Sequence, residues 1–201
     1  MFDNFVNHIK KYDPVITNLV NKYGVVNLNP NSPKFKYLVK IIVSQQISSK
    51  AVETIFKKLS SKINDLFEPQ LILKLNDQEL SSIGLSKQKI GYIKELSLGV
   101  SKNELDLDKL SHEDDIKVYM ELIKLKGFGD WSSRAFLLFG LGRENILISS
   151  DYGIRRAICN LYNLKELPGN DDVLWIARQN HWEPYCSFVC LYLWKSLENT
   201  F

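Results

Sequence analysis

At 201 residues the chain has room for one large or two small domains, and 45% hydrophobic content supplies ample material for a buried core. A formal charge of +3, from 26 Lys+Arg against 23 Asp+Glu, permits a polyanionic partner without demanding one, so the placement of charge matters more than its sum. Cys159, Cys186 and Cys190 form no CxxC pair and give no sign of a disulfide framework or zinc site, while no run approaches the roughly 18 apolar residues of a membrane span.

Met1 to Lys11 carries charge where a signal sequence needs an apolar stretch, so a soluble chain in a reducing, intracellular setting is expected. Phe2, Val6 and Ile9, then Val15, Ile16, Leu19 and Val20, recur at helical spacing. Asp13-Pro14 offers an N-cap and an N1 proline, so two short helices should precede Gly24. Leu28 to Pro33 breaks the pattern and marks a domain boundary. A helix is expected from near Ser32-Pro33 through Phe35, Leu38, Val39, Ile42 and Val43. The polar run Ser44-Gln45-Gln46-Ile47-Ser48-Ser49 turns the chain into a second helix carrying Ala51, Val52, Ile55, Phe56 and Leu59.

Ile63 to Leu75 and Asp77 to Ile83 read as further short helices, the second capped by Asn76 or Asp77. Gly84-Leu85-Ser86 ends one helix and caps the next, which runs through Ile90, Ile93, Leu96 and Leu98. Leu105, Leu107 and Leu110 fall in a linking segment. The helix from Asp114 to Lys124 leads into Leu125-Lys126-Gly127-Phe128-Gly129, and from Trp131 a nearly all-apolar helix runs to Leu141. Tyr152 to Leu161, the neighbourhood of Val173, Ile176 and Ala177, and Phe188 to Leu197 complete the helices. No alternating run is strong enough for a strand, so the fold class is all-α.

Three features carry chemistry. Two glycines one residue apart, between apolar helices, let a backbone turn with positive φ and bring its amides to an anion, with Phe128 pinned in the core and Lys126 and Arg134 nearby. Alone, the same residues read equally as an ordinary loop with a glycine C-cap. Asp151, ahead of Tyr152-Gly153-Ile154-Arg155-Arg156, reads first as a helix N-cap, a position that also suits a carboxylate set against a developing cation. Trp131 and Trp194, with Tyr185, Phe188 and Tyr192 around the latter, read as core or as an aromatic surface. His8, His112 and His181 show no metal-ligand spacing.

Taken together and in order, IIVSQQISSKA (41–51), IGLSKQKIGYI (83–93), LKGFGDWSS (125–133), SSDYGIRRA (149–157) and HWEPYCSFVCLYLW (181–194) resemble the helix-hairpin-helix DNA glycosylases, specifically the monofunctional alkylbase branch of 3-methyladenine DNA glycosylases. The resemblance covers nearly the whole chain. It implies two helical domains, 34–147 with the hairpin and 1–33 plus 148–201 with Asp151, and an active-site cleft between them. By resemblance Asp151 is the catalytic carboxylate, and Trp131, Trp194, Tyr185 and Phe188 wall the base pocket. Gln45, Gln46, Ser48, Lys126, Gly127, Phe128, Gly129 and Arg134 meet DNA, with Gln46 filling the gap left by a flipped nucleotide.

Family members can also hold a monovalent Na or K ion on turn carbonyls, here those of Leu125 and Gly127; no cofactor is required. Bifunctional relatives carry a lysine nucleophile where this chain has Trp131, so no lyase step is expected. With only Cys186 and Cys190 near the C-terminus, no iron–sulfur cluster is expected either. Lys126 stands in place of the usual hairpin proline and Ser133 in place of the usual alanine. The implied activity is hydrolysis of the N-glycosidic bond of alkylated purines in damaged double-stranded DNA, by a monomer that is cytoplasmic in a prokaryote or nuclear in a eukaryote. The alternatives are a glycosylase for uracil, mismatched thymine or oxidised bases, and a non-catalytic DNA-binding module.

Overall fold

The computed structural model describes residues 2–28, 30 and 33–197, and every regular element among them is helical. The chain divides into two units, one made of Met1–Asn29 with Gly142–Phe201 and the other of Pro30–Leu141. The boundaries fall at 29/30 and 141/142, against the sequence expectation of 33/34 and 147/148.

The first unit holds α1 (Phe2–Tyr12), α2 (Pro14–Tyr23), α11 (Tyr152–Leu161), α12 (Asn170–Gln179) and α13 (Cys186–Leu197). Asp13 caps α2, accepting from the Ile16 amide, and Pro14 sits where a helix needs no N–H. The fully buried Asp13 carboxylate also accepts from Trp182 Nε1 at 2.7 Å and Tyr162 Oη at 2.5 Å, tying the N-terminal helices to the C-terminal ones. Phe5 stacks on Phe188 at 5.0 Å and on Tyr192 at 5.9 Å, and the Tyr192 hydroxyl donates to the Gly24 carbonyl at the end of α2. Core aromatics and one satisfied acid thus join segments far apart in sequence.

The second unit holds α3 (Lys34–Ser44), α4 (Ser49–Lys62), α5 (Pro69–Lys74), α6 (Asp77–Ser82), α7 (Lys87–Ser101), α8 (Leu107–Ser111), α9 (Asp115–Leu122) and α10 (Asp130–Ala135), with a π-helical turn at Phe136–Gly140. Leu38 and Ile42 of α3, Leu59 of α4, Ile72 of α5, Leu80 of α6, Ile93 of α7 and Leu122 of α9 are buried together with Phe136 and Leu138. Side chains of Ser48, Asn76, Ser86, Asp106 and Asp114 cap α4, α6, α7, α8 and α9, and Asn76 with Glu79 forms a full capping box.

Three expectations change. The helix expected from Ile63 shrinks to α5, because Asn64 and Asp65 take positive φ and Pro69 restarts the chain. The leucine link at 105–110 contains a helix, α8, whose first amides are taken by Asp106. The apolar run after Trp131 widens into the π turn, where the Phe136 ring lies over Gly140 so closely that a Cβ there would overlap it. Ser32, named as a helix start, lies outside the described residues.

Candidate functional site

Asp151 is placed by its neighbours in the chain. Its amide donates to the Ile148 carbonyl at 3.0 Å, its backbone is extended, and α11 begins one residue later. The carboxylate then turns back as N-cap, Oδ1 accepting from the Ile154 amide at 2.8 Å. The same oxygen accepts from Trp194 Nε1 of α13 at 2.9 Å. Two N–H donors and the positive end of the α11 dipole therefore face one carboxylate, an arrangement suited to negative charge.

Gly153 makes room for the indole, a role the sequence reading missed. A Cβ at this position would stand 3.0 Å from Asp151 Oδ1 and 3.2 Å from Trp194 Cδ1. Its only signal in sequence was its place two residues after Asp151. Tyr152, also passed over, is 63% exposed immediately beside the carboxylate. Beneath the pair, burial pushes the Cys190 thiol up to about 12, and the Asp151 charge adds to the effect. A thiol so disposed is no nucleophile.

The base-wall assignments divide. Trp194 touches Asp151, as described. Phe188 is 1% exposed and stacked on Phe5, so its ring is core and closed to a base. Tyr185 is half-buried, edge-on to Phe5 and His8, and belongs to the same aromatic cluster. Resemblance read along the sequence could not separate Phe188 from Trp194; the face of α13 on which each falls does.

In the other unit, residues 125–129 join α9 to α10. The Phe128 amide donates to the Leu125 carbonyl at 3.0 Å, and Gly127, third in this turn, has φ +86°, as a type II turn requires. The Tyr92 ring packs on Gly127 so tightly that a Cβ would overlap it. Gly129 differs from the expectation of two glycines with positive φ. Its backbone is extended at φ −116°, with nothing within 4 Å of where a Cβ would lie. One glycine makes the turn, and the other leaves open space beside it. Phe128 is buried and anchors the turn.

Lys126 pairs with Glu95 at 3.0 Å, while Arg134 pairs with Asp130 at 2.6 Å and lies 5.3 Å over the Tyr119 ring. Ser48 caps α4. Gln45, Gln46, Ile47, Lys89, Tyr92, Gly127 and the 39% exposed Trp131 line a groove of about 680 Å³. The Leu125 carbonyl accepts the Phe128 amide, and the Gly127 carbonyl accepts Gln45 Nε2 at 2.7 Å, so each has a second lone pair beyond the hydrogen bond it accepts. Among the described residues no group of three or more His, Cys, Asp or Glu is disposed to hold a metal ion, and no helix is long and apolar enough to cross a membrane.

The chain is similar to known proteins over most of its length. A Bacillus subtilis protein carrying the provisional name DNA-3-methyladenine glycosylase is 31% identical over 189 residues, 90% of this chain, which spans 62% of that relative. The crystal structure of a Bacillus halodurans DNA-3-methyladenine glycosidase matches with TM-score 0.84 and 31% identity, over 97% of this chain and 89% of the other. Schizosaccharomyces pombe 3-methyladenine DNA glycosylase in complex with abasic DNA shares the fold, with TM-score 0.88 at 23% identity over 98% of each chain. The model of the HhH-GPD superfamily base excision DNA repair proteins matches residues 39–180, taking in the glutamine loop, the Gly127 turn and the Asp151 cap alike, and the chain belongs to that superfamily.

Proposed function

We propose that this chain is a monofunctional DNA glycosylase of base excision repair, which hydrolyses the N-glycosidic bond of alkylated purines of the 3-methyladenine kind and leaves an abasic site. The observation that carries the reading is the Asp151 carboxylate, held by the Ile154 amide and the Trp194 indole at the start of α11. A DNA-binding module gains nothing from an oriented anion facing a polyanion; a reaction that develops positive charge on a sugar does. The names of the relatives support the same class of substrate.

The target atom lies inside a duplex, so the nucleotide must be rotated out at a cost of a few kcal/mol, least for a damaged or weakly paired base. The Gly127 turn holds a backbone phosphate, Gln46 fills the vacated position, and Trp131 offers a ring face, which attracts a cationic base by about 0.5–2 kcal/mol. As the bond breaks, Asp151 stabilises the oxocarbenium-like sugar and orients the water. Trp131 stands where bifunctional relatives carry lysine, so the product is an intact strand with an abasic site. A monovalent cation on the Leu125 and Gly127 carbonyls would strengthen the phosphate grip, and no step passes through it. The enzyme acts as a monomer wherever the genome lies, in prokaryotic cytoplasm or the eukaryotic nucleus.

The test is base release from duplexes carrying methylated purine, uracil or 8-oxoguanine, with and without alkaline cleavage. Release from the methylated duplex, with strand breaks only after alkali, is expected. Asp151→Asn should lower the rate at least about 100-fold while abasic-duplex affinity holds. Equal rates in variant and wild type would remove Asp151 from the chemistry, and release from another lesion alone would reassign the substrate.

A further inference from the structure

The two adjacent glutamines are not equivalent. Gln46 is exposed, with φ +57°, whereas Gln45 is half-buried and bonded at both its side chain and its backbone. At the end of α3 the last carbonyls lack intrahelical partners. Ser44 Oγ donates to Ile41, the Gln45 amide to Ile42, and Lys89 Nζ reaches over from α7 to Val43 at 2.8 Å and Gln45 at 2.7 Å. Gln45 Nε2 then donates to the Gly127 carbonyl of the hairpin turn, 82 residues on. Burial lowers the Lys89 pKa from its ordinary value, a desolvation suffered by an ammonium engaged with backbone rather than solvent.

A non-glycine residue in the left-handed region persists only where its surroundings over-determine it, and here the residue before Gln46 is fixed at its amide, its carbonyl and its side chain. We infer that Lys89 and Gln45 are positioning residues that brace Gln46 against the hairpin turn, so that gripping a phosphate at Gly127 and filling the duplex with Gln46 are one coupled act. Gln45, assigned to DNA by resemblance, is an internal strut; the inference rests on the proposed function for the role of Gln46. The brace explains why the loop combines one exposed amide side chain with one tied down. It also explains why a lysine in the middle of IGLSKQKIGYI is spent on carbonyls of another helix.

The variants are Lys89→Met, Lys89→Arg, Gln45→Met and Gln46→Ala, with the double variants of the first three with Gln46→Ala. In the free protein, Lys89→Met and Gln45→Met should each accelerate amide exchange at least tenfold at both 45–47 and 126–129. Lys89→Arg should retain protection. On a duplex bearing an abasic analogue with 2-aminopurine opposite, each of the two should cut the fluorescence signal of displacement to the level of Gln46→Ala. Adding Gln46→Ala to either should bring no further loss. Acceleration confined to one segment, or losses that multiply in the double variants, would overturn the brace. Failure of the wild type to bind the duplex or release any base would sink the proposed function instead, and the exchange measurement on the free protein would still decide the brace.

Discussion

Gly153 shows how one missing side chain lets two distant groups meet. Its φ is not in the left-handed region; what it supplies is the volume through which Trp194 reaches Asp151. Gly153→Ala should slow base release about tenfold or more by displacing the indole or the carboxylate, since misplacement of a catalytic group by a fraction of an ångström is costly. The thermal midpoint should move little, which separates a positional effect from unfolding. Ser133 is the opposite case. It stands where the family pattern has alanine, is fully buried, and its hydroxyl has no partner. Ser133→Ala should be neutral or stabilising by about 1 kcal/mol, read as a shifted denaturant midpoint at constant slope. The glycine was legible as part of a motif but not as a steric need, because the indole it makes room for arrives from 41 residues downstream. The serine's isolation was not legible at all, since hydrogen-bond partners belong to the packed chain.

Among elements, the cap of α2 does more than end a helix. Sequence reading found Asp13-Pro14 from the local rule for N-caps, and the structure places the same carboxylate under Trp182 and Tyr162. Asp13→Ala removes the carboxylate that three donors share, two of them on aromatic residues, the buried Trp182 and the half-buried Tyr162. It should cost on the order of 3 kcal/mol of unfolding free energy, measurable by denaturant melts. Helix positions followed the 3.6 periodicity where apolar residues were regularly spaced, as in α3, α7 and α11. They were missed in α8, whose five residues are too few to show a period, and in the π turn at 136–140, where the Phe136 ring lies over Gly140. The hairpin turn divides its two glycines by task, which a Gly-Phe-Gly string cannot express.

For the whole molecule, a formal charge of +3 is a weak electrostatic prior, and two cations near the proposed interface already have partners, Lys126 with Glu95 and Arg134 with Asp130. Affinity for an abasic duplex should fall with salt along a straight line in log–log form, with a slope set by the few phosphates held. Lys126→Ala should flatten that slope by at most about 1 unit. An unchanged slope would mean that the lysine stays with Glu95 and the phosphate is held by backbone amides alone.

By itself the sequence determined the all-α class, most helices, the Asp151 cap, the Gly127 turn and the order of the motifs, because periodicity, caps and motif spacing are properties of neighbours along the chain. Tertiary structure alone decided that Trp194 bonds the Asp151 carboxylate while Phe188 stacks in the core, that the Gln45 side chain is tied to the Gly127 carbonyl while Gln46 is exposed, and that Lys89 closes the end of another helix. Each of these depends on which groups meet across tens of residues in a close-packed interior, where a ring diameter or one hydrogen-bond length settles the role of a side chain.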